Sequence, residues 1–382
     1  MDFQLTEDQS MLVDTVREFV KKESPVERMR KLRDSDLGWE KAVWQKMGEL
    51  GWLGVMFPES AGGMGMSFVE AGLILQELGT TLVPEPVIPL LVAGSAIAKA
   101  GTPEQIERFL TPSLGGAESL ALAWNEEQSR HDASCIRTHA HAAGAGFKLR
   151  GKKRWVLNGH AADHIVVTAR TSGDAGSADG ISLFVIDQSL PGVKLQRVQM
   201  MDGQKGAFIE LADVEVGKDR LLGEAGKAGP LLDALMDLGA AATVCEASGI
   251  LQTVLWMTRN YLMERKQFGV PIGSFQALQH RTVDMFVETE LTKSVAMLAM
   301  IKAEDPDPNE RRRAISAAKA SVIESGAFVT RQGIQLHGGI GVTDEHDVGL
   351  YFKRMHILAT LFGDDAYHVA RYAELPSFSA NV

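Results

Sequence analysis

Apolar positions recur at helical spacing at both ends of the chain and at strand spacing in the middle. In the first stretch, Leu5 to about Gly116, Thr6 and Gln9 have the separation of a capping box, and Met11, Leu12, Val16, Phe19 and Val20 follow near helical period. Thr102-Pro103-Glu104-Gln105 predicts another helix start, with threonine as cap, proline at the first helical position and glutamine reaching back. Between them a glycine-rich turn, Glu59 to Ser67, leads into a periodic apolar segment from Phe68 to Leu78. From about Ser119 to Gly223 the period shortens. Gly146 to Leu157 reads as extended chain broken by a glycine turn. His164–Ala169, Ile181–Ile186, Val193–Val198 and Phe208–Val216 are β-branched runs bounded by Gly, Pro, Asp and Ser. A small antiparallel barrel or sandwich fits that spacing. Beyond about Lys227 the helical pattern returns near 230–264, 274–303 and 310–336, with Asp305-Pro306-Asp307-Pro308-Asn309 as a breaker. The predicted class is α+β, with residues 1–118 helical, 119–226 β-barrel-like and 227–382 a helical bundle.

The 382 residues suffice for two or three packed regions, and 45% apolar with 23% charged residues is an ordinary globular balance. Against 39 basic side chains stand 49 acidic ones, a formal net charge of −10. That balance argues against a general nucleic-acid binder but leaves room for a local basic pocket. Cys135 and Cys245, without Cys-x-x-Cys spacing, argue against a disulfide framework and a thiolate zinc site. No run of about 18 uninterrupted apolar residues occurs, so no membrane span is expected. The start, Met1 to Gln9, lacks the basic and apolar segments of a secretory signal, which predicts a cytoplasmic location. Arg311-Arg312-Arg313 reads as a solvated helix face. His160 with Asp163, and His346 with Asp344 and Asp347, lack standard ligand spacing, so no metal is expected. The Gly62-Gly63-x-Gly65 turn follows no predicted strand, which argues against a Rossmann fold.

Three segments carry more specific chemistry. Trp155-Val156-Leu157-Asn158-Gly159 sets a large aromatic on extended chain, a position that is otherwise core. Glu264 to Gln276 joins two long helices through Arg265, Lys266, Gln267, Phe268 and Gly269. Basic residues beside glycines let a pyrophosphate meet backbone N–H groups and an arginine fork together. Gln335-Leu336-His337-Gly338-Gly339-Ile340-Gly341 closes a helix with glycines that permit close backbone approach.

Taken in order, Pro58-Glu59-x-x-Gly62-Gly63-x-Gly65, Trp155-x-x-Asn158-Gly159, Arg265-x-x-Phe268-Gly269 and Gln335-x-x-Gly338-Gly339-x-Gly341 resemble the acyl-CoA dehydrogenase family along essentially the whole chain. The resemblance implies an N-terminal helical domain, a central β-domain and a C-terminal four-helix bundle. It also implies FAD as cofactor, an acyl-CoA thioester as substrate and electron-transfer flavoprotein as acceptor. In that chemistry a carboxylate removes the α-proton while the β-hydrogen leaves for the flavin. By resemblance, Trp155 and Leu157 lie near the flavin ring. Arg265, with Gln267 and Phe268 beside it, reaches the FAD pyrophosphate region from a neighbouring subunit; Gln335, Gly338 and Gly339 contact the other end of that cofactor, and Gln276 is a further cofactor contact.

Three departures stand out. The family's usual glutamate falls 21 residues past the last glycine of the cluster, where this chain has Phe362; the alternative position, 26 residues before Arg265, is Gly239. The first β-region loop, Trp124 to Asp132, lacks its usual glycine turn, and Leu157 replaces a common hydroxyl. Glu246, seven residues past Gly239 in an apolar stretch, is either paired or functional, since burying a lone carboxylate is costly. Asp364 is a second candidate base. The Phe362-Gly363-Asp364 segment followed by His368 resembles the small-subunit type of pimeloyl-CoA dehydrogenase, which implies a homotetramer or a heterotetramer with a homologous chain. Three functions follow: an acyl-CoA dehydrogenase, a non-catalytic partner subunit completing a shared FAD site, or a related flavin enzyme such as a monooxygenase or nitroalkane oxidase.

Overall fold

A computed structural model describes residues 5–376; Met1 to Gln4, part of the segment read above for a signal, lie outside them. The helices are α1 (Glu7–Glu23), α2 (Val26–Leu32), α3 (Lys41–Glu49), α4 (Phe68–Gly79), α5 (Val87–Ala100), α6 (Pro103–Gln105), α7 (Thr111–Leu114), α8 (Gly229–Glu264), α9 (Gln276–Lys302), α10 (Pro308–His337), α11 (Val348–Leu358) and α12 (Asp365–Ala373). The strands are β1 (Leu120–Ala123), β2 (His139–Ala143), β3 (Gly146–Leu157), β4 (His164–Arg170), β5 (Ile181–Asp187), β6 (Val193–Gln199), β7 (Lys205–Gly217), β8 (Leu221–Leu222), β9 (Lys266–Gln267) and β10 (Val270–Pro271). Both predicted capping boxes form, Thr6 with Gln9 and Thr102 with Gln105. The chain packs as two compact units, one of residues 31–67 and 84–239, the other of residues 5–30, 68–83 and 240–376.

In the first unit the sheet runs β6-β7-β3-β2-β4-β5-β8, mostly antiparallel, with β1 added parallel to β4. Its core includes Leu149, Ile165, Val167, Phe184, Ile209 and Leu211. The glycine turn expected inside residues 146–157 is absent. Gly151 stays within β3 beside a register shift, because a Cβ there would collide with Thr138. The alternation that turns Leu149 inward also turns Lys153 inward, where it is fully buried. Its ammonium donates to Glu126 Oε1 at 2.7 Å and to Thr168 Oγ1 at 2.8 Å. Glu126 also accepts from the backbone N–H groups of Arg137 and Thr138 and from Gln128.

In the second unit α9 and α10 pack along their lengths, with α11 and α12 against α10. Glycines bring α4 close to α8: a Cβ at Gly249 would strike the Gln76 carbonyl, and one at Gly79 the Glu246 carbonyl. Arg17 of α1 grips Glu77 of α4 at 2.9 and 3.2 Å. The solvated face expected at Arg311-Arg312-Arg313 needs correction. Arg311 is buried and donates to the Asp305 carbonyl at 3.0 Å, because the breaker folds back over the first turn of α10; Arg313 pairs with Glu310. Among the described residues one helix, α8, is long and apolar enough to cross a membrane, and 94% of its most apolar window is buried inside the protein.

Burial alone would raise the Glu126 carboxyl, but the Lys153 ammonium and the surrounding hydrogen bonds outweigh it and hold it at about 2. Its folded value lies below the unfolded one, so the stability it contributes is full above about pH 4.5 and is lost as pH falls toward 2. Glu126→Gln strands the Lys153 ammonium and should cost about 3–5 kcal/mol at pH 7. Urea unfolding of both proteins between pH 3 and 7 checks this: the wild-type advantage should shrink toward pH 3.

Candidate functional site

In the β-unit, the register of β3 against β7 shifts between Lys153 and Val156. The bulge holds Trp155 at φ 51°, a left-handed conformation uncommon for a bulky residue, and leaves its indole 50% exposed. The ring meets Phe208 edge-on at 4.9 Å, and the Arg154 guanidinium lies 4.6 Å over the same phenyl group. Leu157 pairs with Gly206 on β7. Asn158, also at positive φ, accepts from the Trp39 indole N–H at 3.1 Å, so its part of the motif is a corner brace. The loop expected to lack a glycine turn keeps left-handed geometry without glycine, at Arg130 (φ 43°) and His131 (φ 75°). It is fixed by Glu126 and by the Arg154 N–H donating to the Asn125 carbonyl at 2.8 Å.

In the helical unit, the end of α8 and the end of α10 meet around a concavity of about 480 Å³. Arg265, Gln267, Gln335, Gly338 and Gly339, all singled out in the sequence, line it together. Gly338 has φ 64° and ψ −140°, a conformation essentially reserved for glycine. A Cβ at Gly338 or Gly339 would meet nothing within 4 Å, so these glycines leave space rather than relieve a clash. That space suits a bound group approaching the backbone closely.

Phe268 and Gln276 are absent from that lining. β9 and β10 form a hairpin whose two central residues, Phe268 (φ 54°) and Gly269 (φ 82°), both have positive φ as a type I′ turn requires. Phe268 is 91% exposed at its tip. Gln276 opens α9 and is exposed.

The candidate bases are both engaged. Arg354 of α11 donates Nε to Glu246 Oε1 at 2.6 Å and Nη2 to Oε2 at 2.8 Å, inside the helical unit. Of the two readings open for Glu246, paired or functional, the pairing is what the structure displays. Nearby Lys319, fully buried, donates to Thr243 Oγ1 at 2.7 Å and the Leu358 carbonyl at 2.5 Å. Burial drives its ammonium down to about 7, with Glu246 opposing that fall and Arg354 adding to it. Asp364 caps α12, accepting from the Tyr367 N–H at 2.8 Å. Phe362 is buried at φ 58°, and its carbonyl accepts from His368 Nε2 at 3.1 Å, which leaves Nδ1 to accept from Ser316.

Sequence reasoning missed Tyr261, Arg281 and His337 in the concavity. Arg281 lies one helical turn past Leu278, another lining residue, and no sequence motif marks either of them. The Lys153–Glu126 pair was also missed, although a lysine in phase with inward Leu149 was its signal.

Residues 6–117, 121–214 and 231–375 match the acyl-CoA dehydrogenase N-terminal, middle and C-terminal domains in turn. The chain belongs to the acyl-CoA dehydrogenase family. It is 31% identical to a probable acyl-CoA dehydrogenase, YngJ, of Bacillus subtilis over 91% of this chain and 92% of that protein. The butyryl-CoA dehydrogenase structure from Megasphaera elsdenii superposes with a TM-score of 0.89 at 25% identity, covering 98% of this chain and 99% of that one. The ChsE4-ChsE5 complex of Mycobacterium tuberculosis superposes at 0.87 with 26% identity, covering 98% and 100%. The expected α+β architecture is that of the family, an oxidoreductase acting on CH–CH groups.

Arg354→Ala leaves the Glu246 carboxylate buried without its fork and should cost about 3–5 kcal/mol. Replacing both partners by apolar residues, Glu246→Leu with Arg354→Met, should recover most of the loss. Urea denaturation of the wild type, Glu246→Leu, Arg354→Met and the double variant measures the coupling.

Proposed function

We propose that this chain holds FAD and takes part in α,β-dehydrogenation of an acyl-CoA thioester as one subunit of an oligomer. The observation that carries the reading is the convergence of Arg265, Gln267, Gln335, Gly338 and Gly339 on one concavity, from segments about 70 residues apart in sequence. Arg265 offers a guanidinium fork for a pyrophosphate, the two glutamines offer amides, and the open glycines admit the group to the backbone. Trp155, aimed outward by its bulge, is the indole we assign to the flavin ring, and Leu157 contributes its backbone N–H there. When bound, FAD supplies the oxidation by accepting the β-hydrogen of the substrate.

The α-proton needs a carboxylate with a lone pair to spare. Both oxygens of Glu246 lie in the Arg354 fork, and Asp364 is a helix cap. We therefore assign Glu246 a positioning role, holding α8 to α11, and look to a homologous partner chain for the proton acceptor. Relatives that form a heteromeric assembly, as the name of the ChsE4-ChsE5 complex states, support that arrangement. So does this chain's surface. Phe268 projects from its hairpin, and Trp256, Met263, Val283, Phe286 and Leu291 expose apolar area on α8 and α9. Electron-transfer flavoprotein is the acceptor the family resemblance implies. Both cysteines are free thiols, which suits the cytoplasm.

The test is spectroscopic. The chain, alone and co-expressed with a homologous chain, should retain a flavin spectrum that an acyl-CoA bleaches. Arg265→Ala should lower FAD occupancy after dialysis by about tenfold or more, the worth of a charge-assisted fork. Full occupancy in that variant, or flavin indifferent to every acyl-CoA in both preparations, would overturn the reading.

A further inference from the structure

A phosphate-binding pocket on a chain of net charge −10 must concentrate positive charge locally, and the concavity at the end of α10 does so twice. Arg265 enters it from the end of α8, and Arg281 enters it from the second turn of α9. No carboxylate contributes to the lining, and neither arginine makes an ion pair among the described residues. Arg281 has one long hydrogen bond, from Nη1 to Gln332 Oε1 at 3.4 Å, too weak to hold its fork closed. Arginines on protein surfaces can remain solvated singly. Here two line one concavity beside open glycines, with no carboxylate in the lining to answer their charge.

We propose that Arg281 is a second anion-binding residue of this concavity and sets its preference for a nucleoside diphosphate over an uncharged nucleoside. The proposal rests on the flavin-nucleotide reading above and deepens it. A diphosphate carries two ionised phosphates, and one guanidinium fork can engage one of them face to face. The second fork matches the second phosphate. The rest of the lining suits the uncharged part of a nucleotide: Tyr261, Ile272, Leu278 and Ile340 offer apolar surface, and Gln267 and Gln335 offer amides. Leu278 and Arg281, three residues apart on α9, put an apolar and a cationic contact on one helix face. Arg281 touches no core residue by hydrogen bond and is exposed, so its replacement spares the fold.

The experiment compares wild-type full-length chain with Arg281→Gln and Arg281→Lys. Dissociation constants for FAD are read by flavin fluorescence, and those for ADP and adenosine by calorimetry on chain freed of nucleotide. Arg281→Gln should weaken FAD and ADP by about 10- to 100-fold and leave adenosine unchanged, with Arg281→Lys intermediate. The wild-type ADP affinity should also fall more steeply with salt than that of Arg281→Gln. Equal ADP affinity in wild type and Arg281→Gln, or a wild type that binds ADP no better than adenosine, would overturn the inference. A chain that prefers ADP through Arg281 yet holds no flavin would sustain the inference and sink the flavin assignment, so the two failures are distinguishable.

Discussion

A charge removed from water must be met by an opposite charge or by aimed dipoles, and that constraint acts within each of the two units. In the β-unit, Lys153 is fully buried on the inner face of the strand whose next residues carry Arg154 and Trp155 outward. Its ammonium fixes Glu126, Glu126 fixes the backbone of Arg137 and Thr138, and the loop between is closed at both ends. The loop beside the half-exposed indole is thus fixed by one buried pair. In the helical unit, Glu246 and Arg354 do the corresponding work between α8 and α11, while Lys319 reaches the last turn of α11. Such pairs contribute little net stability compared with apolar packing, but breaking either partner is costly, and this makes them good anchors for position.

The concavity at the end of α10 obeys the constraint in reverse. There Arg265 and Arg281 lack carboxylates among the described residues, and the chain leaves their charge unanswered where solvent and a ligand can reach it. Buried pairs hold elements together, whereas the open arginines stay available to solvent. Backbone strain divides similarly. Trp155, Phe268 and Phe362 all sit at positive φ, a conformation that costs large side chains of order 1 kcal/mol or more. Each is an aromatic whose direction the strain sets: two outward, and Phe362 inward under the hold of His368.

Much of the fold was legible because its signals are local. The capping boxes at Thr6 and Thr102, the breaker before α10 and the β-branched runs need only neighbouring residues to specify them. Gly151 misled because a glycine inside a strand has two meanings, a turn or a close approach, and the approaching Thr138 lies thirteen residues away. Arg311 misled for a related reason: its burial comes from the breaker folding back, which no helical period records. Glycine and arginine motifs could be placed by pattern, whereas Arg281 belongs to no motif and joins the concavity only because α9 presents it there with Leu278.

The fate of Glu246 shows how far the same reasoning reaches. A carboxylate in the run Ala240 to Ala247 had to be paired or functional, and sequence could not choose, since its partner is 108 residues distant. The bidentate Arg354 fork supplies the missing fact and changes what the residue can do. An acceptor for a weakly acidic α-proton must offer a lone pair free to receive it, and a fork engaging both oxygens occupies the carboxylate and holds it stationary. With phenylalanine at position 362 and glycine at 239, the chain keeps an arginine-lined concavity and an outward indole while its two candidate carboxylates are committed to holding helices. The division of labour proposed above would reconcile those features, because the residues that hold a cofactor and the residue that moves a proton need not be encoded by the same polypeptide.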